Sequence, residues 1–148
     1  MKVLKRSNKF FSEDEKKCII ESIVHAEDQT SGEIRVHLER RSRENPYEAA
    51  KKIFEKLGMT NTKERNGVLI YISVKDRKIA ILGDKGINEK VPDGFWNNIL
   101  EEIKSKFKER RYCEGVCKGI ELTGEKLKVY FPHSKTDINE LSDTISEG

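Results

Sequence analysis

The fold of this chain is decided by residues 66–83, which read NGVLIYISVKDRKIAILG. Residues 68–74 are apolar on both faces, as is typical of a central strand of a sheet. Three polar residues, 75–77, separate this run from a second apolar run at residues 78–82. Two runs joined by so short a polar turn predict an antiparallel hairpin, with strand two at 68–74 and strand three at 78–82.

Strand one precedes the hairpin and is joined to it through a helix. Ile34, Val36 and Leu38 alternate with polar residues, which predicts a half-buried strand. Asn45 is a helix-capping residue followed by a proline, and helical apolar spacing then extends over residues 46–57. A strand–helix–strand connection favours parallel pairing with a right-handed crossover. Strand one should therefore lie parallel to strand two, which makes the sheet mixed.

Three further helices surround these strands. Ser12 and Glu15 form a capping box at the start of a helix over residues 13–28. Another helix is predicted to begin at Pro92, and the last to run over residues 114–130. Four helices, three recognisable strands and a fourth, shorter strand that escapes the pattern predict an α/β fold. We expect an α/β/α sandwich with a small mixed sheet of three to four strands flanked by about four helices.

The chain is predicted to hold one domain followed by a tail. Its length of 148 residues is typical of a single domain with a substantial core. We place the domain at residues 10–131 and the tail at residues 132–148, where the apolar density falls. Within the tail, residues 137–141 read DINEL, and two interpretations stay open. The segment docks onto the domain, or it is a peptide that partners recognise.

The composition excludes several classes of protein. The 29 basic and 26 acidic residues nearly cancel and are interspersed, so binding to nucleic acid is not expected. The longest apolar run, residues 68–72, is too short to span a membrane, and no signal-peptide core follows the amino terminus. Three cysteines without an export signal favour reduced thiols. We therefore expect a cytoplasmic protein with no direct membrane span.

Polar side chains from distant parts of the sequence converge on one edge of the predicted sheet. In this topology the start of strand one, the start of strand two and the end of strand three share that edge. The oxygen-bearing residues expected there are Asp28, Ser31, Glu33, Glu64, Asn66, Asp84 and Asn88. Calcium takes about six to eight oxygen ligands and magnesium keeps more of its water, so the edge is a candidate cation site. The alternative is a solvated rim in which Lys63, Arg65 and Lys85 neutralise the carboxylates.

Catalytic motifs are absent from the sequence. It contains no Cys-x5-Arg cradle, no Asp-x-Asp-x-Thr/Val motif and no Gly-x4-Gly-Lys-Ser/Thr loop. His25, His37 and His133 share no spacing, so we interpret each as a surface or structural histidine rather than a metal ligand. Metal-assisted phosphatase chemistry through Asp84 and Glu64 is the weaker hypothesis.

Several of these segments resemble one known family. In chain order they are Thr30-Ser31-Gly32-Glu33-Ile34, residues 66–72, Asp76-Arg77-Lys78, Gly83-Asp84-Lys85-Gly86-Ile87, and the spacing of Phe107, Tyr112, Gly115 and Gly119. Over roughly residues 10–130 their order and spacing resemble the TPM domain family, named for plant thylakoid, photosystem-repair and worm membrane proteins. The tail, with Tyr130-Phe131-Pro132 followed by residues 137–141, is similar to stand-alone bacterial members.

The resemblance carries its own implications for fold and function. It implies a Rossmann-like α/β/α sandwich, calcium binding as attributed to several members, and acid phosphatase activity as described for plant relatives. It also implies a link to LemA-like membrane proteins, near which bacterial relatives are often encoded. One position departs from the family, whose members commonly place Asp directly before the Asn-Gly of strand two. This chain has Arg65 there, which would repel a cation.

We therefore expect a TPM-like domain that binds a divalent cation, Ca²⁺ or Mg²⁺, at this sheet edge and uses no organic cofactor. The expected metal ligands are Asp28, Glu33, Glu64, Asn66 and Asp84. The alternative is a non-enzymatic protein-interaction module that partners a membrane protein such as a LemA-like protein. A metal-dependent acid phosphatase is the weaker alternative, and we favour a binding protein over an enzyme. We also expect a monomer.

Overall fold

A four-stranded sheet with helices on both faces forms the body of the protein, in a computed structural model that describes residues 10–133 and 145–148. The helices are α1 (Glu13–Glu27), α2 (Pro46–Lys56), α3 (Lys85–Asn88), α4 (Asn97–Lys108) and α5 (Tyr112–Tyr130). The strands are β1 (Glu33–Glu39), β2 (Gly67–Ser73), β3 (Lys78–Gly83) and β4 (Ser146–Glu147). In the part of the chain described, no helix combines the length and apolarity needed to cross a membrane.

The sheet is mixed, as the sequence predicts, and its strand order is β3-β2-β1-β4. β1 lies parallel to β2 and to β4, whereas β2 and β3 form the antiparallel hairpin. Every residue of β2 is buried, because this strand has neighbours on both sides and helices on both faces. The short fourth strand expected beyond the recognisable pattern is β4, which has only two residues.

The core consists of two layers, one on each face of the sheet. The larger layer packs α1, α4 and α5 against side chains such as Val36 and Ile70. The smaller layer packs α2 through Phe54 against Leu69 and Tyr71 of β2. Neighbouring residues of a strand point to opposite faces, so the continuous apolar run of β2 supplies both layers. The α/β/α sandwich is confirmed.

Local capping signals in the sequence form as expected. The Ser12 Oγ accepts a hydrogen bond from the Glu15 backbone N–H at 3.1 Å, and a Glu15 carboxylate oxygen accepts one from the Ser12 N–H at 2.9 Å. At the start of α2, the Asn45 side-chain oxygen accepts from the Tyr47 N–H at 2.8 Å. These bonds satisfy amide groups that the first turn of a helix leaves without partners.

One prediction about the region after the hairpin is wrong. The third predicted helix begins at Asn97 rather than at Pro92, because a turn with Gly94 at φ 74° intervenes. A φ in the left-handed region cannot belong to a continuing right-handed helix. After β3 the chain enters the short helix α3, whose N-cap is Asp84 and which the sequence did not predict. Residues 137–141, for which the sequence left docking or recognition open, lie outside the described residues.

Candidate functional site

The sheet edge at which the sequence predicts a site forms in the structure, and we call it the amino-terminal edge. It comprises the start of β1, the start of β2 and the end of β3, together with the loop 61–66 and helix α3. Glu33 pairs in register with Gly67, and Val68 pairs with Gly83, so the three strand ends lie side by side. The edge therefore brings together chain segments about 50 residues apart in sequence.

The strongest interaction at this edge joins Arg65 to Asp84. The Arg65 Nε donates to one Asp84 carboxylate oxygen at 2.8 Å, and Nη2 donates to the other at 3.0 Å. The Lys85 backbone N–H also donates to this carboxylate, at 2.7 Å, which caps α3. The hydrogen bond and charge of Asp84 raise the pKa of Arg65 above its ordinary value. Such a fork with two parallel bonds is the strongest form of arginine–carboxylate pairing.

The two partners of this pair differ in exposure. The Asp84 side chain is 5% exposed, whereas the Arg65 side chain is 43% exposed. Burial disfavours an ionised carboxylate unless a positive group or hydrogen-bond donors compensate for the lost water. Arg65 is thus the compensating charge of a buried anion, although nearly half of its own side chain is exposed to solvent.

The backbone beside Arg65 is closely packed and sharply bent. Arg65 has φ 52°, in the left-handed region that non-glycine residues seldom adopt. The Gly86 N–H donates to the Arg65 carbonyl oxygen at 2.8 Å. A Cβ on Gly86 would lie 2.0 Å from the Glu64 carbonyl oxygen, so only glycine allows α3 to approach this loop so closely.

A second polar cluster at the same edge contains Ser31, Glu64 and Asn66. The Ser31 hydroxyl donates to a Glu64 carboxylate oxygen at 3.1 Å and accepts from the Asn66 side-chain amide at 3.2 Å. Asn66 is buried, and its backbone N–H donates to Thr62 Oγ1 at 3.2 Å. The structure therefore brings Ser31, Glu64 and Asn66 into one hydrogen-bonded chain, with Arg65 between two of them in sequence.

The remaining predicted residues have other local roles. Asp28 is exposed and is the C-cap residue of α1. Glu33 is buried as the first residue of β1. The Asn88 side-chain amide donates to the Gly83 carbonyl oxygen at 3.1 Å and so covers the end of β3. Within residues 10–133 and 145–148, no group of three or more His, Cys, Asp or Glu side chains is arranged to hold a metal ion.

A cavity of about 470 Å³ borders Asp84 on the face of the sheet that α2 covers. Its lining comes from α2, β3 and α3 and includes Lys51, Glu55 and Glu89 as well as Asp84. Charges of both signs line the cavity, and a carboxylate lies at its border.

The sequence missed one buried polar chain, which lies away from the amino-terminal edge. The Nε2 of His37 is 2.8 Å from Glu39 Oε1, and its Nδ1 is 2.9 Å from Ser146 Oγ. Because a carboxylate only accepts, Nε2 donates to Glu39, and in the neutral ring Nδ1 accepts from the serine hydroxyl. Burial lowers the pKa of His37 below 6.5 despite Glu39, which favours this neutral form. His37 is 4% exposed. We interpret these hydrogen bonds as an attachment of β4 to β1, so that His37 is a structural histidine.

Comparisons with known proteins identify one matching family model and two similar solved structures. A family model described as the TPM domain matches residues 4–126. The chain is 47% identical to the BA42 protein of the psychrophilic bacterium Bizionia argentinensis, with a TM-score of 0.88, covering 94% of this chain and 96% of that one. The N-terminal domain of a protein from P. gingivalis is 18% identical, with a TM-score of 0.67 over 84% of this chain and 82% of that one, which supports the fold alone. Curated proteins yield no match.

Proposed function

Because the chain belongs to the TPM domain family, we propose that its amino-terminal edge binds a divalent cation and that Arg65 competes with this cation for Asp84. One observation supports the proposal above the others: a buried carboxylate has an exposed side chain as its positive partner. A positive partner that approaches from solvent can be exchanged for another positive charge without exposing the carboxylate.

The chemistry of the edge suits a cation that keeps part of its water. Magnesium is commonly held by one or two carboxylates plus water, and calcium accepts amide and backbone oxygens as well. Asp84 would supply the principal carboxylate. Glu64 and Asn66 carry further oxygens in the cluster with Ser31, on the same loop as Arg65. Asp28 and Glu33 stay predicted ligands, and their amides belong in the test below.

Arg65 sets the affinity in this proposal. A guanidinium within hydrogen-bond distance of a carboxylate must leave, or be repelled, before a cation binds the same oxygens. We therefore expect the unmodified chain to bind calcium and magnesium weakly. The variant Arg65→Asn removes the charge and keeps a residue type that tolerates a positive φ. Its affinity should rise about tenfold or more.

The test is a titration of the whole chain with CaCl₂ and, separately, MgCl₂, followed by backbone amide shifts. Saturable shifts should appear together at residues 28–33, 64–67 and 83–88. The variant Asp84→Asn should lose them, because an amide keeps the size of the carboxylate but not its charge. Arg111→Asn is the matched control, since Arg111 also bridges carboxylates, those of Glu109 and Glu114, away from this edge.

Two results would contradict the proposal. One is a set of small, uniform shifts that do not saturate in either the unmodified chain or Arg65→Asn. The other is an affinity of Arg65→Asn no higher than that of Arg111→Asn. Acid phosphatase activity and a LemA-like partner stay predictions from the sequence and its resemblance.

A further inference from the structure

β3 forms one edge of the sheet, and part of its backbone lacks partners. The Asp84 N–H donates to the Gly67 carbonyl oxygen at 2.9 Å. In this register every second residue before Asp84, namely Leu82, Ala80 and Lys78, directs its backbone groups toward β2. In an antiparallel ladder the residues between them direct N–H and C=O groups outward. The outward residues are Ile79, Ile81 and Gly83. The Gly83 carbonyl oxygen accepts from Asn88, but within the described residues the outward groups of Ile79 and Ile81 have no hydrogen-bond partner.

At the opposite edge of the sheet, backbone groups of β1 and of the loop before it have hydrogen-bond partners. There the Ile34 N–H of β1 donates to a Glu27 carboxylate oxygen at 2.7 Å, and the Ser31 N–H donates to the Phe131 carbonyl oxygen at 2.9 Å. β4 then pairs with the other end of β1. An unpaired edge is a template for another strand, and proteins usually cover it or interrupt it with proline, a bulge or charge. β3 has no proline, and its ladder with β2 runs without a bulge from Lys78 to Gly83.

A groove of about 390 Å³ follows the middle of β3. Its floor is residues 79–81, and its walls are the beginnings of α2 and α4, which lie on opposite faces of the sheet. Tyr47 lines it from α2, and Phe95 and Trp96 line it from the turn before α4. Ile79 and Ile81 are only 7% and 4% exposed, so little of either residue is in contact with open water. Polar backbone groups in such surroundings are costly unless a partner completes them.

The spacing of these groups identifies the kind of partner. Ile79 and Ile81 each offer one donor and one acceptor, at the two-residue repeat that a neighbouring strand matches with its own backbone. Walls rise on both faces of β3, so a second copy of this sheet would bring its own α2 and α4 against them. A single extended segment carries no helices that would meet these walls.

The charge at one end of the groove indicates which side chains a partner would carry there. Arg77 and Lys78 lie at the start of β3, both exposed, and within the described residues neither has a carboxylate within ion-pair distance. The Arg77 guanidinium lies 5.8 Å from the centre of the Tyr112 ring, whereas Asp76 of the same turn accepts from the Ser73 hydroxyl. A partner with acidic side chains at this end would meet two available cations.

We propose that the β3 groove binds an extended peptide that is apolar in its middle and acidic at its carboxyl end, and that this peptide adds a fifth strand antiparallel to β3. Antiparallel pairing places the acidic end beside Arg77 and Lys78. The backbone of the peptide satisfies Ile79 and Ile81, and its apolar side chains pack against Tyr47 and Trp96.

The test uses hydrogen exchange, because β3 contains its own control. In the free protein the outward amides of Ile79 and Ile81 should exchange faster than the inward amide of Ala80. The probe is a synthetic peptide of sequence Thr-Thr-Val-Val-Val-Thr-Glu-Glu with its amino terminus acetylated, so that its valines point to both faces of the new strand. At saturation the probe should slow exchange at Ile79 and Ile81 about tenfold or more and leave Ala80 nearly unchanged, because only the outward amides gain a hydrogen bond.

Charge reversal tests the acidic end. The double variant Arg77→Glu and Lys78→Glu should bind this probe about fivefold more weakly or worse, and should prefer a probe that ends in Lys-Lys. Both sites are exposed, so folding should be preserved. Lys128→Glu is the matched control on the exposed surface of α5.

Three outcomes would overturn the proposal. The first is slow exchange of Ile79 and Ile81 in the free protein, equal to that of Ala80, which would mean that the edge is already paired. The second is protection that rises with protein concentration without peptide, which would identify a second copy as the partner. The third is an unchanged preference between the two probes after charge reversal.

Discussion

Gly86 should be among the least replaceable residues of the amino-terminal edge. A Cβ at this position would lie 2.0 Å from the Glu64 carbonyl oxygen and 2.7 Å from that of Arg65, whereas ordinary contact begins at 3.4 Å. Both neighbours are backbone atoms, which cannot rotate away as a side chain can. In the variant Gly86→Ala the loop and α3 must therefore separate by more than 1 Å.

The expected loss of stability follows from two costs and one gain that partly offsets them. Forcing an extra carbon into a closely packed site costs about 1–3 kcal/mol. The hydrogen bond from the Gly86 N–H to the Arg65 carbonyl oxygen is 2.8 Å long and would be lost, at about 1 kcal/mol. Alanine has a higher helix propensity than glycine by about 1 kcal/mol, which partly offsets these costs. We expect a net loss of about 1–3 kcal/mol in the free energy of unfolding, or about 3–9 °C in Tm.

Urea unfolding followed by far-ultraviolet circular dichroism measures this loss, and calorimetry gives the Tm. The matched control is Lys85→Ala, the exposed neighbour in α3, which should change stability by about 0.5 kcal/mol or less. Amide shifts of the variant should change mainly at residues 64–66 and 84–88. If the free energy of unfolding of Gly86→Ala lies within about 0.5 kcal/mol of that of the unmodified chain, the loop is not packed closely against α3 at Gly86.

Two further predictions concern the core and the β4 attachment. Burial lowers the pKa of His37 below 6.5, so the unfolded chain binds a proton before the folded protein does, and stability should fall as pH falls below about 6.5. Urea unfolding at several pH values should show this loss, and His37→Gln should weaken it; an unchanged pH profile would contradict the assignment. For Gly119→Ala, the new Cβ would lie 2.5 Å from Ile103 Cδ1, which belongs to a side chain, so we expect a loss of about 1–2 kcal/mol. Ile103→Val removes that carbon. The double variant should therefore lose less stability than the sum of the losses in the two single variants, and strictly additive losses would argue against the contact.

Local patterns in the sequence are enough to predict most of the fold. The alternation in β1, the doubly apolar run of β2 and the polar turn before β3 each depend on residues within one element. The helix between β1 and β2 then dictates parallel pairing, which places the strand ends at a common edge. For this reason Ser31, Glu64 and Asn66 could be assigned to one site before their contacts were known.

Pairings between distant side chains are decided only by the tertiary structure. Arg65 and Asp84 are close because Arg65 takes a positive φ and because Gly86 lets α3 approach the loop, and neither condition has a periodic signal. The sequence indicated that Arg65 would oppose a cation, but not that it would bind the principal carboxylate with two hydrogen bonds.

Neither the position of β4 nor the β3 groove could be predicted from the sequence, for related reasons. A strand of two residues is too short to show alternation, and Ser146 meets His37 across 109 positions. The unpaired edge of β3 is a property of strand order, because the same apolar run would have no outward groups if it lay inside the sheet. The sequence alone determined the longer helices, the strands β1 to β3 and which ends of these strands align, since each depends on neighbouring residues. The tertiary structure decided which carboxylate is neutralised and which strand edge is left open, since both depend on how close separate elements approach.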